Sequence, residues 1–192
     1  MDLQKTDLTD RVVEKMTQYL EQEGIGLIDL DLSRNLITDE GLTMLSTSLK
    51  ANQSLKYLNL KHNRIREEGL KTFAEYLTSN TTLLEVSLSE NALSVQGIKH
   101  LSAFLPRNTT LKLLELVKCT LTDAGFSDFA SALGKNNGIE ILDISRNRDI
   151  TDEGSLLTLA KSLRKNQSLK TLTLGGLNLR KTFCKDHLLP AL

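Results

Sequence analysis

One phrase recurs along this chain at a fixed spacing, and it constrains the fold more than any other feature. Leu27-Ile-Asp-Leu30-Asp-Leu32-Ser-Arg-Asn35 aligns with Leu55-Lys-Tyr-Leu58-Asn-Leu60-Lys-His-Asn63. The phrase returns at Leu83, Leu111 and Ile139, each start 28 residues after the last, and begins again at Leu169 after 30. Arg148-Asp149 and Ser155-Leu156 hold the two extra residues. A degenerate copy comes first, in which Leu3, Leu8, Val13, Met16 and Leu20 match Leu32, Ile37, Leu42, Leu45 and Leu49. A fixed period of this length marks supersecondary units that bury their apolar faces on one another.

Each unit contains two periodicities. Its first, fourth and sixth positions are aliphatic, and the alternation at four and six is that of a short strand with one buried face. About ten residues later the spacing becomes helical: Leu42, Leu45, Leu49; Leu70, Phe73, Leu77; Ile98, Leu101, Leu105; Phe126, Phe129, Leu133; Leu156, Leu159, Leu163. That is the apolar stripe of an amphipathic helix. Thr38-Asp39, Ser94, Thr122-Asp123 and Thr151-Asp152 are expected as helix N-caps, with Arg66-Glu67 the exception. Gly41, Gly69, Gly97, Gly125 and Gly154 are expected to let helix approach strand closely. Asn52, Asn80, Asn108, Asn136 and Asn166 follow the last helical turn, where asparagine tolerates a left-handed cap. Four of them fall in Asn-X-Ser/Thr sequons, which this reading makes a by-product of turn chemistry rather than glycosylation sites.

The stretch L-x-x-L-x-L-x-x-N/C-x-L resembles the leucine-rich repeat, in the long-repeat, ribonuclease-inhibitor-like subfamily. The resemblance covers residues 1 to 179; Thr6 and Leu177 depart from the Asn position, and residues 180 to 192 fit no unit. It implies an α/β fold, a right-handed solenoid forming a horseshoe segment, with parallel strands on the concave face and helices on the convex face. A single domain over 1–192 is expected, with a first unit at 1–26, units starting at 27, 55, 83, 111, 139 and 169, and a C-terminal cap or tail at 180–192. Asn35, Asn63, Asn91 and Asn147 are expected to stack as a ladder that satisfies main-chain groups where each strand turns away. Cys119 holds that position in one unit and reads as a small buried thiol.

Composition narrows the function. Twenty-four cationic side chains balance 24 carboxylates, which argues against a generic nucleic-acid binder needing a basic excess. The start of the chain has no apolar core of signal-peptide length, and no window is long and apolar enough to span a membrane. Cys119 and Cys184 lie far apart without metal or redox spacing, so a reduced, cytoplasmic setting is expected, with a cytoskeletal or ciliary address as a variant of it. No phosphate-cradling glycine loop, nucleophile elbow or zinc cluster occurs, and His62, His100 and His187 are scattered. The expectation is a non-enzyme without cofactor or metal. Gly175-Gly176 reads as a turn.

What remains is the outward strand face. Position three carries Asp29, Tyr57, Glu85, Leu113, Ile141 and Thr171; position five carries Asp31, Asn59, Ser87, Glu115, Asp143 and Thr173. Leu113, Val117 and Ile141 form an apolar cluster, with Tyr57 two strands away, that suits docking. The carboxylates Asp29, Asp31, Glu85, Glu115 and Asp143 lie beside a basic row of Arg34, His62, Lys118 and Arg146. Two readings stay open: mutual salt bridges of little consequence, or a charge pattern that orients a partner. The function expected is a protein-interaction module whose partner is another protein. The alternatives are a GTPase activator like the Ran activators, whose acidic tail is absent here, and a ribonuclease inhibitor, whose cysteine-rich, acidic composition fits poorly. Phe183, Leu188 and Leu189 are expected to fold over the last unit, unless the array continues or another subunit covers its ends.

Overall fold

A computed structural model describes residues 1–20 and 26–191. Residues 21–25, at the expected join of the first two units, and Leu192, at the end of the expected tail, lie outside the described residues. Helix α1 (Asp10–Leu20) is followed by β1 (Asp29–Asp31), α2 (Asp39–Ser48), β2 (Tyr57–Asn59), α3 (Glu68–Ser79), β3 (Glu85–Ser87) and α4 (Val95–Phe104). Then come β4 (Leu113–Glu115), α5 (Asp123–Leu133), β5 (Ile141–Asp143), α6 (Glu153–Leu163), β6 (Thr171–Thr173) and the short α7 (Lys181–Phe183). The six strands form one parallel sheet in chain order. Residues at matching repeat positions stand side by side, as in Tyr57↔Glu85↔Leu113↔Ile141. From α1 to α6 each helix packs on its neighbours in the chain. This is an open α/β solenoid.

The core runs the length of the array. Leu30, Leu58, Val86, Leu114 and Leu142 are buried under the strands, as are Leu32, Leu60, Leu88, Leu116 and Ile144. The helical stripes meet them from the other side, with Leu45, Phe73, Leu101, Phe129 and Leu159 all buried. Each full burial of such a side chain is worth about 1.5–3 kcal/mol, and each unit supplies its share to two neighbours. At the N-terminal end Met1–Leu3 pairs alongside β1, with the Leu3 amide donating to Asp31 O and the Asp31 amide to Met1 O, both at 2.9 Å. At the C-terminal end Leu172 and Leu174 under β6 are only half-buried. Beyond α7, Cys184–Leu188 forms a π-helical turn and Leu189–Ala191 a 3-10 turn, and these pack on α6. Phe183 and Leu188 are buried there, whereas Leu189 is exposed, so it takes no part in the closure expected of it.

Two ladders of asparagine bind the units together. In the inner one, the Asn91 Nδ2 donates to Leu60 O and Leu88 O, both at 2.9 Å, and its Oδ1 accepts from the amides of Asn63 and Ile65. Asn63 and Asn147 bond the same way across their own boundaries, and Asn35 ties β1 to Leu3, Thr6 and Leu8. The Cys119 Sγ donates to Leu88 O at 3.3 Å but offers no matching acceptor; the Leu93 amide turns instead to Asn91 O.

The outer ladder corrects the expectation of left-handed caps. None of Asn52, Asn80, Asn108, Asn136 or Asn166 has positive φ. Their Oδ1 atoms accept from the amides two and three residues on, as Asn108 does from Thr110 and Leu111. The Nδ2 of Asn108, Asn136 and Asn166 reaches back to carbonyls of the preceding unit. The left-handed residues are instead Lys5, Arg34, His62, Glu90, Lys118, Arg146 and Gly176, the eighth position of each unit, where the chain leaves its strand, together with Asp7 and Thr120.

The glycines also serve differently from the expectation. A Cβ on Gly69 would sit 2.8 Å from Asp39 Cα, and one on Gly97 2.8 Å from Arg66 O. They admit the start of the previous unit's helix rather than a strand. At the N-caps, Thr38, Ser94 and Asp152 accept main-chain bonds, while Thr122 does not. The neighbouring acids reach across units: Asp10 accepts from Thr38, Asp39 from the Arg66 amide, and Asp123 from the Thr151 and Asp152 amides.

Candidate interaction face

Because strand residues alternate sides, positions three and five of all six strands share one surface. Parallel register sets them in a grid whose rows cross strands at about 4.8 Å. Along row three run Asp29, Tyr57, Glu85, Leu113, Ile141 and Thr171; along row five run Asp31, Asn59, Ser87, Glu115, Asp143 and Thr173. Leu113 and Ile141 are direct neighbours, and Val117 follows just beyond β4. Ile141 is 40% exposed, whereas Tyr57, Leu113 and Val117 are half-buried. Leu113 and Ile141 therefore adjoin, with Glu115 between Leu113 and Val117 along the chain and Glu85 between Leu113 and Tyr57 across the sheet.

The carboxylates of this face divide into two groups. Asp31 Oδ1 accepts from the Ser33 amide at 2.8 Å, and its Oδ2 from Asn59 Nδ2 at 2.9 Å. Asp143 Oδ1 accepts from the Ser145 amide at 2.9 Å. These two acids hold the strand exits. Asp29, Glu85 and Glu115 make no side-chain hydrogen bond among the described residues. Among the described residues none of the five carboxylates forms an ion pair, although the Met1 ammonium donates to the main-chain carbonyl of Asp29 at 2.6 Å; the ion pairs are Lys61–Glu90, His62–Glu90, Lys99–Asp128, and Lys112 and Lys170 with Glu140. Mutual salt bridging between the acidic group and the basic row, one of the two readings left open by the sequence, is therefore not how this surface is arranged.

The basic row lies off the grid, on the left-handed corners. Arg34, His62, Lys118 and Arg146 are exposed there, and Glu90 breaks the row. Lys61 and His62 on either side hold the Glu90 carboxyl below its ordinary range, with its bond to Lys61 the larger cause. Lys118, Arg146 and Arg148 line a recess of about 510 Å³ together with Thr120 and Asp149.

A second recess, of about 180 Å³, opens in the grid itself. Asp29, Tyr57, Asn59, Glu85, Leu113 and Glu115 surround it, with Ser87 among its lining residues. Its cause is side-chain size: serine is the smallest residue in row five of the central strands. Ser87 was not singled out in the sequence, because its importance depends on its neighbours across the sheet. No group of three or more metal-ligating side chains occurs among the described residues. Cys119 is fully buried, and that burial pushes its thiol up to about 12, away from reactive range. No helix of the described residues is long and apolar enough to cross a membrane.

Comparison with known proteins agrees with this architecture. A family model described as Leucine Rich repeat matches residues 27–46, 51–74, 79–102, 107–130 and 135–155. No curated protein sequence matches the chain. Among solved structures, actin-binding site 2 of leiomodin-1 is similar with a TM-score of 0.57 at 18% identity, over 94% of this chain and 86% of that one. The C-terminal domain of a Caenorhabditis elegans tropomodulin is similar with a TM-score of 0.65 at 13% identity, over 80% of this chain and 92% of that one. At such identities the likeness is one of fold.

Proposed function

The chain belongs to the leucine-rich repeat family, and from that premise we propose that it is a non-catalytic module that binds another protein on its strand face. The observation that carries this reading is the state of that face. Glu85 and Glu115 stand there without cationic partners, and Asp29 with only the chain's own N-terminal ammonium at its main-chain carbonyl, on the face that also carries Leu113, Val117 and Ile141. Intramolecular folding needs none of these six side chains outward. A rigid surface combining an apolar centre with unpaired charge fits the anatomy of a docking site, where apolar anchors give affinity and charge sets orientation. We read its working place as the cytoplasm or cytoskeleton.

The test is affinity capture from native lysate with quantitative mass spectrometry, comparing the wild type with Ile141→Asp, Val117→Asp and, on the helix side, Lys135→Glu. The expected result is a partner retained by Lys135→Glu and lost by both face variants. Partners held equally by all four proteins would overturn the use of this face. Actin is the first purified protein to assay by co-sedimentation, because a leiomodin-1 segment of the same fold is an actin-binding site.

A further inference from the structure

We propose that the free edge of β6 is a self-pairing site, on which a second copy of this chain lays its own β6 antiparallel, about a two-fold axis at Leu172. This goes beyond the strand-face reading and does not depend on it. Along the array each unit donates to the next: the amides of Leu32, Leu60, Leu88, Leu116 and Ile144 bond to Asn59 O, Ser87 O, Glu115 O, Asp143 O and Thr173 O. Leu174 holds the same position, but β6 is the last strand of the sheet, and the tail after it packs on α6. In the same way Lys56 O, Lys112 O and Glu140 O each accept two amides of the following unit, whereas Lys170 O accepts none among the described residues. Thr171 N and Thr173 O bond toward β5, so Leu172 between them turns both its main-chain groups to the open side. The Leu177 amide closes Leu174 O at 3.2 Å. The edge is therefore left with Lys170 O, Leu172 N, Leu172 O and Leu174 N.

Those four groups are complementary to themselves. In an antiparallel ladder, a bonded pair of residues exchanges both main-chain bonds, and the next such pair lies two residues on. With Leu172 opposite Leu172 of the second copy, each donates to the other. Leu174 N then meets Lys170 O of the second copy, and the reverse holds on the other side of the axis. Every one of the four finds a partner. The two groups this register does not need, Lys170 N and Leu174 O, are the two already bonded within the chain. The side chains agree with the pairing. Thr171 opposes Thr173 of the second copy on the exposed face, and threonine pairs are favourable cross-strand neighbours. Beneath them the half-buried Leu172 and Leu174 gain apolar cover from their equivalents. Strand edges are ordinarily guarded by charge or proline. Residues 171–179, Thr-Leu-Thr-Leu-Gly-Gly-Leu-Asn-Leu, contain neither, and Lys170 just before them is paired with Glu140 of its own chain.

Sedimentation velocity on the full chain tests the pairing, from about 10 µM to about 1 mM because an interface this small gives reversible association. A monomer–dimer equilibrium is expected, with no larger species. Thr171→Lys combined with Thr173→Lys sets like charges against each other across the axis and should weaken the dimer about tenfold or more. Thr171→Glu combined with Thr173→Glu should do the same, and an equimolar mixture of the two double variants should restore a dimer. Both threonines are exposed, so these variants should keep the wild-type circular dichroism. The helix-side Lys135→Glu should dimerise as the wild type does. In a Cys184→Ser background, Thr171→Cys mixed with Thr173→Cys should crosslink on mild oxidation faster than either variant alone. Hydrogen exchange at the Leu172 and Leu174 amides should slow as concentration rises, while Thr171 and Thr173, already bonded to β5, stay as they are. A chain that remains monomeric throughout, including one that takes a strand of some other protein at β6, would overturn the proposal. So would assembly that grows without limit, a dimer indifferent to the paired lysines, or crosslinking of either cysteine variant alone as fast as the mixture.

Discussion

The side-chain amide of Asn136 donates to the main-chain carbonyl of Asn108 at 3.0 Å and to that of Leu105 at 2.6 Å, while its own Oδ1 accepts from Gly138 and Ile139. One buried side chain thus closes its own turn and fastens it to the turn before. Asn108 does the same toward Asn80, and Asn166 toward Asn136. Replacing Asn136 by alanine would leave two donors and two acceptors unmatched in a site only 1% exposed. At about 1 kcal/mol or more for each unsatisfied group, the expected loss is about 3 kcal/mol or more in urea unfolding. Asn136→Asp should lose a comparable amount, since a carboxylate cannot donate to the two carbonyls. A loss below about 1 kcal/mol for both would refute the ladder's role.

The sequons belong to the same argument. Asn52 and Asn108 are 5% and 3% exposed, and the Asn108 Nδ2 is already engaged by Leu77 O at 2.7 Å. Sequence alone placed these asparagines correctly at turns but assigned them the wrong conformation. Residue type speaks to local preference, and asparagine suits a left-handed cap as well as a cross-unit donor. Which one occurs depends on carbonyls 28 to 33 residues away. The left-handed corners instead fell mostly on arginine, glutamate and lysine, types with no such preference, because strand exit in a stacked unit imposes the geometry. The strands, helices and their buried leucines were legible because period and polarity are written along the chain. The surface was less so: Asp31 and Asp29 look alike in sequence, yet only Asp31 bonds its neighbours through its side chain.

Gly69 separates steric need from helical preference. In an ordinary helix, Gly→Ala gains about 1 kcal/mol from propensity. Here the new Cβ would meet Asp39 Cα at 2.8 Å and Asp39 O at 3.0 Å, both main-chain atoms with no rotamer to retreat into. Overpacking of that kind costs about 1–3 kcal/mol. Gly69→Ala is therefore expected to destabilise, and Gly125→Ala, whose nearest neighbour is the Ile98 side chain at 3.3 Å, to be close to neutral. Thermal or denaturant unfolding of the two variants decides the order; equal stabilisation of both would show that the α2–α3 contact is looser than described.

Alkaline pH should weaken the fold through Cys119. Burial pushes its thiol from 9.0 up to about 12, so between these values the unfolded chain ionises while the folded chain keeps its proton. The unfolded state then binds fewer protons, and stability falls as pH rises, by up to about 1.4 kcal/mol per pH unit for this one group. Below pH 9 its contribution is fully present. Burial also raises the Tyr76 phenol, which adds to the slope at higher pH. Unfolding free energies at pH 8, 9.5 and 11 should fall more steeply for the wild type than for Cys119→Ala. Parallel slopes would mean that the thiol reaches solvent in the folded chain.

The position of a leucine in the array should set the cost of losing it. Leu114, under the central β4, is fully buried between β3 and β5, and its truncation to alanine leaves a cavity walled on both sides. Such changes cost about 2–5 kcal/mol. Leu172 holds the same repeat position under β6, but has a strand on one side only and is half-buried. Less contact is lost there, and neighbours can relax outward, so about 1–2 kcal/mol is expected on the same scale. In a solenoid each unit is held only by the adjacent ones, so the last is also the first to open. Amide hydrogen exchange should therefore be slowest at β3 and β4 and faster at β6. In Leu172→Ala the added exchange should stay at the C-terminal units, whereas in Leu114→Ala it should spread in both directions. Equal losses for the two variants, with uniform exchange along the chain, would require a single cooperative globule in place of a stack of units coupled one to the next.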